Sequence, residues 1–493
     1  MSADDRPAVL HITAANGGGV DRYIQDLAAN VPRPHYLWHV GSGLNVIEDV
    51  AAARFHPLSD SAEEALVETS LARWLKASGI GLTHVHGVDE ACRKQLALLQ
   101  RIAPMPWIAT LHDLTFLNPR AFDAPGVPEP MPAWIEALSV SLREAATVIV
   151  PSQFVRDLAL RHLPGVEVHL VAPGIDVSKP RTALAIPADF EAQRPRHLVA
   201  VVGAIGPHKG SALLQALIRR LDGTGIGVVV IGYTDSDITR GWRVPGAYYV
   251  YGPYVDGDLG GALAALGVEV ALFPNRMPES FSYTLSEVWA AGIPAVVPDD
   301  GALGERMSKS GWGWRLPAGY DATYAAEFLR QIFSADRAAE RVRVQSAIDP
   351  HDPVRIPSLA AMSHEIDALY ERFGMPDANG RDAAAAKGAL DPLLAANLDG
   401  FAFRKELIRL ASEVVELKAA LIQASPWAAK LEHDISEAQS WARKLEHDID
   451  VLKADGKLQF EENRRLADDK AAFDQLPLLV RKLLIKKAFR ARR

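Results

Sequence analysis

From residue 8 to about 345, short β-branched apolar runs alternate with amphipathic stretches of helical length. This is the spacing of strand–helix units that build parallel sheets with helices on both faces. AVLHIT at 8–13, LTHVHG at 82–87, WIATLHD at 107–113, ATVIVPS at 146–152 and VEVHLVAPG at 166–174 are the strands expected of a first series. Residues 176–195 are rich in proline and charge and have no clear period, which predicts an interdomain linker. A second series follows in LVAVVGA at 198–204, IGVVVIG at 226–232, AYYVYGP at 247–253, VEVALFP at 268–274 and IPAVVPD at 293–299. The pattern predicts an α/β chain of two doubly wound domains, residues 1–178 and 190–345, facing a cleft. Ligands are expected at the carboxyl ends of the strands.

The pattern changes beyond residue 345. Residues 354–373 read as one amphipathic helix, and 376–400 have the Ala, Gly, Asp and Pro content of a linker. In 401–470 a heptad register runs from Leu407 and Leu410 to Ile449 and Leu452 with every a and d position apolar, which predicts a coiled coil. Within it WAAKLEHDI at 427–435 recurs as WARKLEHDI at 441–449. Ser425-Pro426 reads as an N-cap and first turn, so a break and restart is expected there. The narrow, Ala-rich seam favours self-association into a homo-oligomer. The alternative is one long helix packed back on its own domains.

Charge adds an asymmetry. The net charge is -8, yet the last eighteen residues, 476–493, carry seven Lys or Arg and no acid. Setting that +7 aside leaves residues 1–475 at -15. Leu476, Leu478, Leu479, Leu483, Leu484, Ile485 and Phe489 interleave with the cations, mostly at helical spacing. An interfacial helix on an anionic membrane surface is therefore expected. No aromatic or base-reading module accompanies the cations, so nucleic acid is not expected as a partner. Cys92 is the single cysteine, which excludes an intrachain disulfide. The N-terminus is acidic and then strand-like, and no apolar run approaches the ~18 residues of a membrane span. A cytoplasmic protein, peripheral on the inner face of the cytoplasmic membrane, is expected.

Three loops carry the candidate chemistry. In PESFSYTLSEVWAAGIPAVV, 278–297, Glu279 and Glu287 are eight residues apart. A helix starting near Ser282 would leave the first in the loop and place the second on the helix. The backbone N–H groups of Phe281, Ser282, Tyr283 and Thr284 would then sit at a helix N-terminus, which favours a phosphate. Carboxylates flanking such a nest suit a sugar nucleotide; taken alone, they would be capping and surface acids. LVAVVGAIGPHKGSALLQAL at 198–217 places Gly203, Gly206, Lys209 and Gly210 after the first strand of the second domain, where glycines permit close approach and the lysine suits a pyrophosphate. AANGGGVDRYIQDLAAN at 14–30 opens the first domain with Gly17, Gly18 and Gly19 before a helix.

These motifs resemble the retaining, nucleotide-sugar-dependent glycosyltransferases of family 4, group 1, whose GT-B fold pairs two Rossmann-like domains. The resemblance rests on E-x7-E at 279–287, AGIPAVV at 291–297, G-x5-K-G at 203–210, the N-terminal glycine loop, PSQFV at 151–155 and APGID at 172–176. It covers about residues 8–345 and implies that 346–375 is a crossover helix returning to the first domain. It further implies that Glu287 holds ribose hydroxyls and that Glu279 and His112 lie by the donor sugar. Lys209, with the amides of 282–284, would neutralise the departing diphosphate. Gly18 and Gly19 would pass close to the donor phosphate and mark the acceptor side. No metal or other cofactor is implied. The implied reaction is sugar transfer with retention to a saccharide or lipid-linked acceptor, in building cell-surface polysaccharide of the O-antigen, lipopolysaccharide or capsule type. The alternative is an inactive transferase-like scaffold that organises such an assembly through its coiled coil.

Two departures stand out. Ala204 occupies the position where the family commonly has an arginine, so a cation is missing unless Arg276 or another basic residue replaces it. Ser282 stands where glycine is usual. DSD at 235–237 and DGD at 256–258 mimic a D-x-D metal motif but read as loops. His84 and His86 share one strand face with no third partner at metal spacing, so a packing or acceptor-cleft role is expected for them.

Overall fold

The computed structural model describes residues 6–14, 18–41, 44–51, 54–57, 64–122, 126–178, 184–237, 239–254 and 258–374. The expected linker at 376–400, coiled coil at 401–470 and basic segment at 476–493 lie outside the described residues.

The first series contains β1 (Ala8–Thr13), α1 (Gly18–Asn30), β2 (His35–Gly41), β3 (Leu44–Asp49), β4 (Arg54–Pro57), α2 (Glu64–Ala77), β5 (Ile80–His86), α3 (Glu90–Ile102), β6 (Trp107–Thr110), α4 (Pro132–Leu142), β7 (Thr147–Val150), α5 (Gln153–His162) and β8 (Val168–Leu170). Strands β1, β5, β6 and β7 are buried along their whole length, as expected of parallel strands covered on both faces. In the first sheet the run β2-β1-β5-β6-β7-β8 is parallel throughout. Its order reverses between β1 and β5, which puts the crevice for a ligand at the carboxyl ends of those strands.

The second series contains α6 (Ala188–Glu191), β9 (His197–Ile205), α7 (Ser211–Leu221), β10 (Ile226–Thr234), β11 (Gly241–Val244), β12 (Tyr248–Gly252), α8 (Leu259–Leu266), β13 (Val270–Leu272), α9 (Tyr283–Ala290), β14 (Ala295–Pro298), α10 (Gly301–Ser310), β15 (Gly313–Leu316), α11 (Ala322–Phe333), α12 (Ala338–Ser346) and α13 (Leu359–Phe373). The strand order is β11-β12-β10-β9-β13-β14-β15, parallel except for the edge pair β11 and β12. Here the order reverses between β9 and β13, the strands that precede the G-x5-K-G and E-x7-E loops. β1 and β5 to β15 all belong to one compact unit.

Part of the stretch read as a linker is core. Phe190 on α6 is fully buried, stacked 5.5 Å from Trp242 and edge-on to Tyr249. A proline-rich approach hides this from periodicity, because a one-turn helix contributes a single anchoring residue. α13 packs on the first sheet, where Met362, Ile366, Leu369 and Tyr370 join Val9, Leu27, Leu82 and Ile149 in one core cluster. The chain crosses itself where APGID meets the start of this helix. Ile175 pairs with Ser358, and a Cβ on Gly174 would lie 2.2 Å from the Ser358 carbonyl oxygen, so only glycine fits. The serine of PSQFV has an equally local role. Ser152 caps α5, its Oγ accepting from Val155 N at 3.2 Å. Among the described residues no helix is long and apolar enough to cross a membrane.

Candidate functional site

At the end of β9 the backbone turns through Gly203, with φ +111, into a short 3-10 turn at Pro207–Lys209. Gly206 O accepts from Lys209 N at 3.0 Å and from Ser211 N at 3.2 Å, closing the turn before α7. Gly210 holds φ +80 with its α-carbon against Pro274 O, where an added Cβ would approach to 2.0 Å. This close approach ties the lysine turn to the loop after β13, and His208 O strengthens it by accepting from Arg276 N and Met277 N. Lys209 Nζ therefore comes within 3.7 Å of Glu279 Oε1, whose carboxylate also accepts from Asn275 Nδ2 at 2.7 Å.

The E-x7-E loop enters α9 through Ser282, the one non-glycine with positive φ (+81) among the described residues. Such a conformation costs a side chain roughly 1–3 kcal/mol and persists only when its surroundings hold it. Two things hold it here. Ser282 Oγ caps α9 by accepting from Leu285 N at 3.3 Å. Beneath the loop, buried Arg306 on α10 donates from Nη1 to Ser282 O at 2.9 Å and Phe281 O at 3.3 Å, and from Nη2 to Ser286 Oγ at 2.7 Å. Its guanidinium lies over the Phe281 ring at 4.3 Å and the Trp289 ring at 5.1 Å. Burial lowers the Arg306 pKa to about 9, which leaves it cationic at neutral pH. The amides of Tyr283 and Thr284 lie in the first turn of α9, above that charge, where a helix offers no internal acceptor.

The first domain contributes the opposite wall. Gly18 and Gly19 start α1, and a Cβ on Gly19 would sit 3.7 Å from the Tyr283 ring. One turn later Arg22 donates from Nη1 to Glu287 Oε1 at 2.8 Å and covers the Tyr283 ring at 4.6 Å. His112 follows β6, with Tyr23 edge-on at 4.9 Å and its carbonyl accepting from Ser280 Oγ.

Glu279, His112, Lys209, Gly18, Gly19, Gly203, Phe281, Ser282, Tyr283, Thr284 and Glu287 all line one cavity of about 690 Å³. That lies within the ~300–1,000 Å³ usual for small-molecule sites. Ala204 lines it too, leaving room where a longer side chain would stand. Arg276 is not the substitute cation: it does not line this cavity, and its Nη1 donates to Tyr320 O at 2.8 Å. Arg22, which sequence reasoning passed over inside the N-terminal glycine motif, brings the second cation. Arg306 was also missed, since it lies 24 residues beyond Ser282 and acts from below. In the DSD loop, Asp235 accepts from Ser211 Oγ and Asp237 pairs with Arg243. The first two residues of DGD are outside the described residues.

The histidines need one correction. His84 and His86 do have a third imidazole beside them, His11, which the register of β1 against β5 places opposite His84. All three are buried.

Residues 17–179 match the family model described as Glycosyltransferase Family 4. No curated protein matches the chain in sequence. Among solved structures, a glycosyltransferase from Rickettsia africae is 15% identical with a TM-score of 0.54, covering 75% of this chain and 99% of its own. Anabaena HepE in complex with UDP-glucose is 16% identical with a TM-score of 0.55, covering 74% and 99%. Sucrose-phosphate synthase from Thermosynechococcus elongatus is 17% identical with a TM-score of 0.51, covering 74% and 99%. The first domain thus carries the family 4 signature, and the described chain has the two-domain GT-B architecture.

Proposed function

We propose that this chain, which matches the Glycosyltransferase Family 4 model over residues 17–179 and has the GT-B fold, moves a sugar from a nucleotide-sugar donor to a saccharide or lipid-linked acceptor with retention of anomeric configuration. One observation carries the reading: two carboxylates, a lysine, a helix N-terminus and a histidine, drawn from both domains, converge on a single cavity at the switch point of the second sheet. In this reading Glu287 accepts from ribose hydroxyls, and Lys209 with the amides of Tyr283 and Thr284 stabilises the diphosphate as it leaves. Arg22 faces the same charge from the first domain, and Glu279 and His112 flank the sugar. The acceptor hydroxyl attacks the face that the diphosphate leaves. Fixed cations and helix amides provide the electrostatic stabilisation, so no metal is required. The solved Anabaena relative bound to UDP-glucose supports a donor of this class. The heptads of 401–470 and the basic run of 476–493 suit an oligomer working at an anionic membrane surface on a cell-surface glycan.

Full-length protein incubated with a panel of GDP-, UDP- and dTDP-sugars is expected to release the nucleoside diphosphate from at least one donor, with transfer to added acceptor in the donor's anomeric configuration. Release from no member, by a phosphate-coupled assay, contradicts the reading.

A further inference from the structure

Behind the cavity wall four imidazoles are joined end to end. His35 Nε2 lies 3.3 Å from the Val31 carbonyl oxygen, and His35 Nδ1 lies 2.8 Å from His11 Nε2. His11 Nδ1 is 2.8 Å from His86 Nε2, and His86 Nδ1 is 3.0 Å from His112 Nε2. The rings of His35, His11, His86 and His112 stack stepwise with centroids 5.1–5.3 Å apart. Burial holds each of these histidines below the ordinary imidazole pKa, with neighbouring imidazoles adding to the effect at His11 and His86. Each is therefore neutral at neutral pH, with one N–H and one lone pair.

The far end sets the direction. A carbonyl oxygen only accepts, so His35 must carry its proton on Nε2, which leaves its Nδ1 as an acceptor. His11 must then donate from Nε2, His86 from Nε2, and His112 from Nε2 in turn. The reverse polarity would set a bare His35 Nε2 against the Val31 oxygen and leave two buried acceptors facing each other, a cost of about 1–3 kcal/mol. His112 is half-buried, lines the cavity, and its Nδ1 has no hydrogen-bond partner among the described residues.

We propose that Val31, His35, His11 and His86 form a polarised hydrogen-bond chain that fixes His112 in its Nε2–H tautomer, so that Nδ1 faces the cavity only as an acceptor. The group it takes is consequently a hydrogen-bond donor; in the glycosyltransfer reading, on which this last step rests, that is a hydroxyl of the sugar. His35, His11 and His86 are positioning residues that act through His112. A metal ion held by His11, His84 and His86 is the competing use of this cluster. The hydrogen bonds disfavour it, because every ring nitrogen of the three is already engaged. His84 meets the Tyr370 hydroxyl and Thr110 Oγ1 at 2.7 Å each, and the His11–His86 separation of 2.8 Å is that of a hydrogen bond, with no room for an ion between.

The test is the ring-nitrogen NMR spectrum of full-length protein labelled with 15N-histidine at neutral pH, assigned by single substitutions. His35, His11, His86 and His112 are all expected to show a protonated Nε2 and a bare Nδ1. In His35→Phe, which removes the link to the Val31 carbonyl without touching the cavity, His112 is expected to populate both tautomers. A wild-type His112 protonated on Nδ1 overturns the proposal. So does a folded His35→Phe protein whose His112 signals are unchanged, or displacement of the ring protons by stoichiometric zinc. The wild-type spectrum needs no substitution to fold and no activity to read, so it tests the chain even if no donor sugar is turned over.

Discussion

Lys209→Ala is expected to slow release of nucleoside diphosphate by ~10²–10³-fold, the usual effect of removing one preorganised electrostatic contact from a reacting group. Lys209 is the residue whose charge the turn at 206–210 is built to deliver. Gly210 admits the Pro274 carbonyl, His208 ties down the following loop, and the ammonium arrives 3.7 Å from Glu279. The same substitution should leave the urea unfolding midpoint almost unchanged. The Lys209–Glu279 pair is partly solvated, and such pairs contribute at most ~1 kcal/mol. Loss of turnover with retained stability separates a role in the reaction from a role in the fold; full turnover would show that the diphosphate does not lie at this loop.

Arg306→Met should do the opposite, destabilising the protein by about 3 kcal/mol because it strips donors from buried acceptors. Methionine fills similar space but leaves the carbonyls of Phe281 and Ser282 unanswered and the positive φ of Ser282 without its anchor. Chemical denaturation should show this loss, with donor affinity falling as the loop relaxes. Unchanged stability would mean that the Ser282 conformation is held by its own cap alone.

Much of this was legible in the chain, for identifiable reasons. β1 coincides with AVLHIT because a parallel strand buried on both faces is a near-continuous apolar run, and here His11 is its one break before β-branched Ile12 and Thr13. The cavity-lining loops announced themselves because close approach to a ligand, or to another loop, requires glycine, and because Glu279 and Glu287 bracket a helix start. β2, HYLWHVG, does not read as a strand in sequence: His35, Tyr36 and His39 break its apolar run, although the sheet buries the histidines with partners. β15, GWRL, is four residues long and carries an exposed arginine. The imidazole chain is a product of register, since His11 meets His84, and Val9 meets His35, only once β1 lies between β2 and β5. Arg306 escaped for a related reason. It is held not by an opposite charge but by the Phe281 and Ser282 carbonyls, the Ser286 hydroxyl and two ring faces, a set that no charge pattern in the sequence signals.

The cavity between the E-x7-E loop and α1 is expected to take a nucleoside diphosphate group. Calorimetric titration of full-length protein with UDP, GDP and dTDP tests it most directly. One-to-one binding of at least one of them is expected, abolished by Glu287→Gln together with Lys209→Ala. Absence of binding by all three, or binding that survives the double substitution, would contradict it.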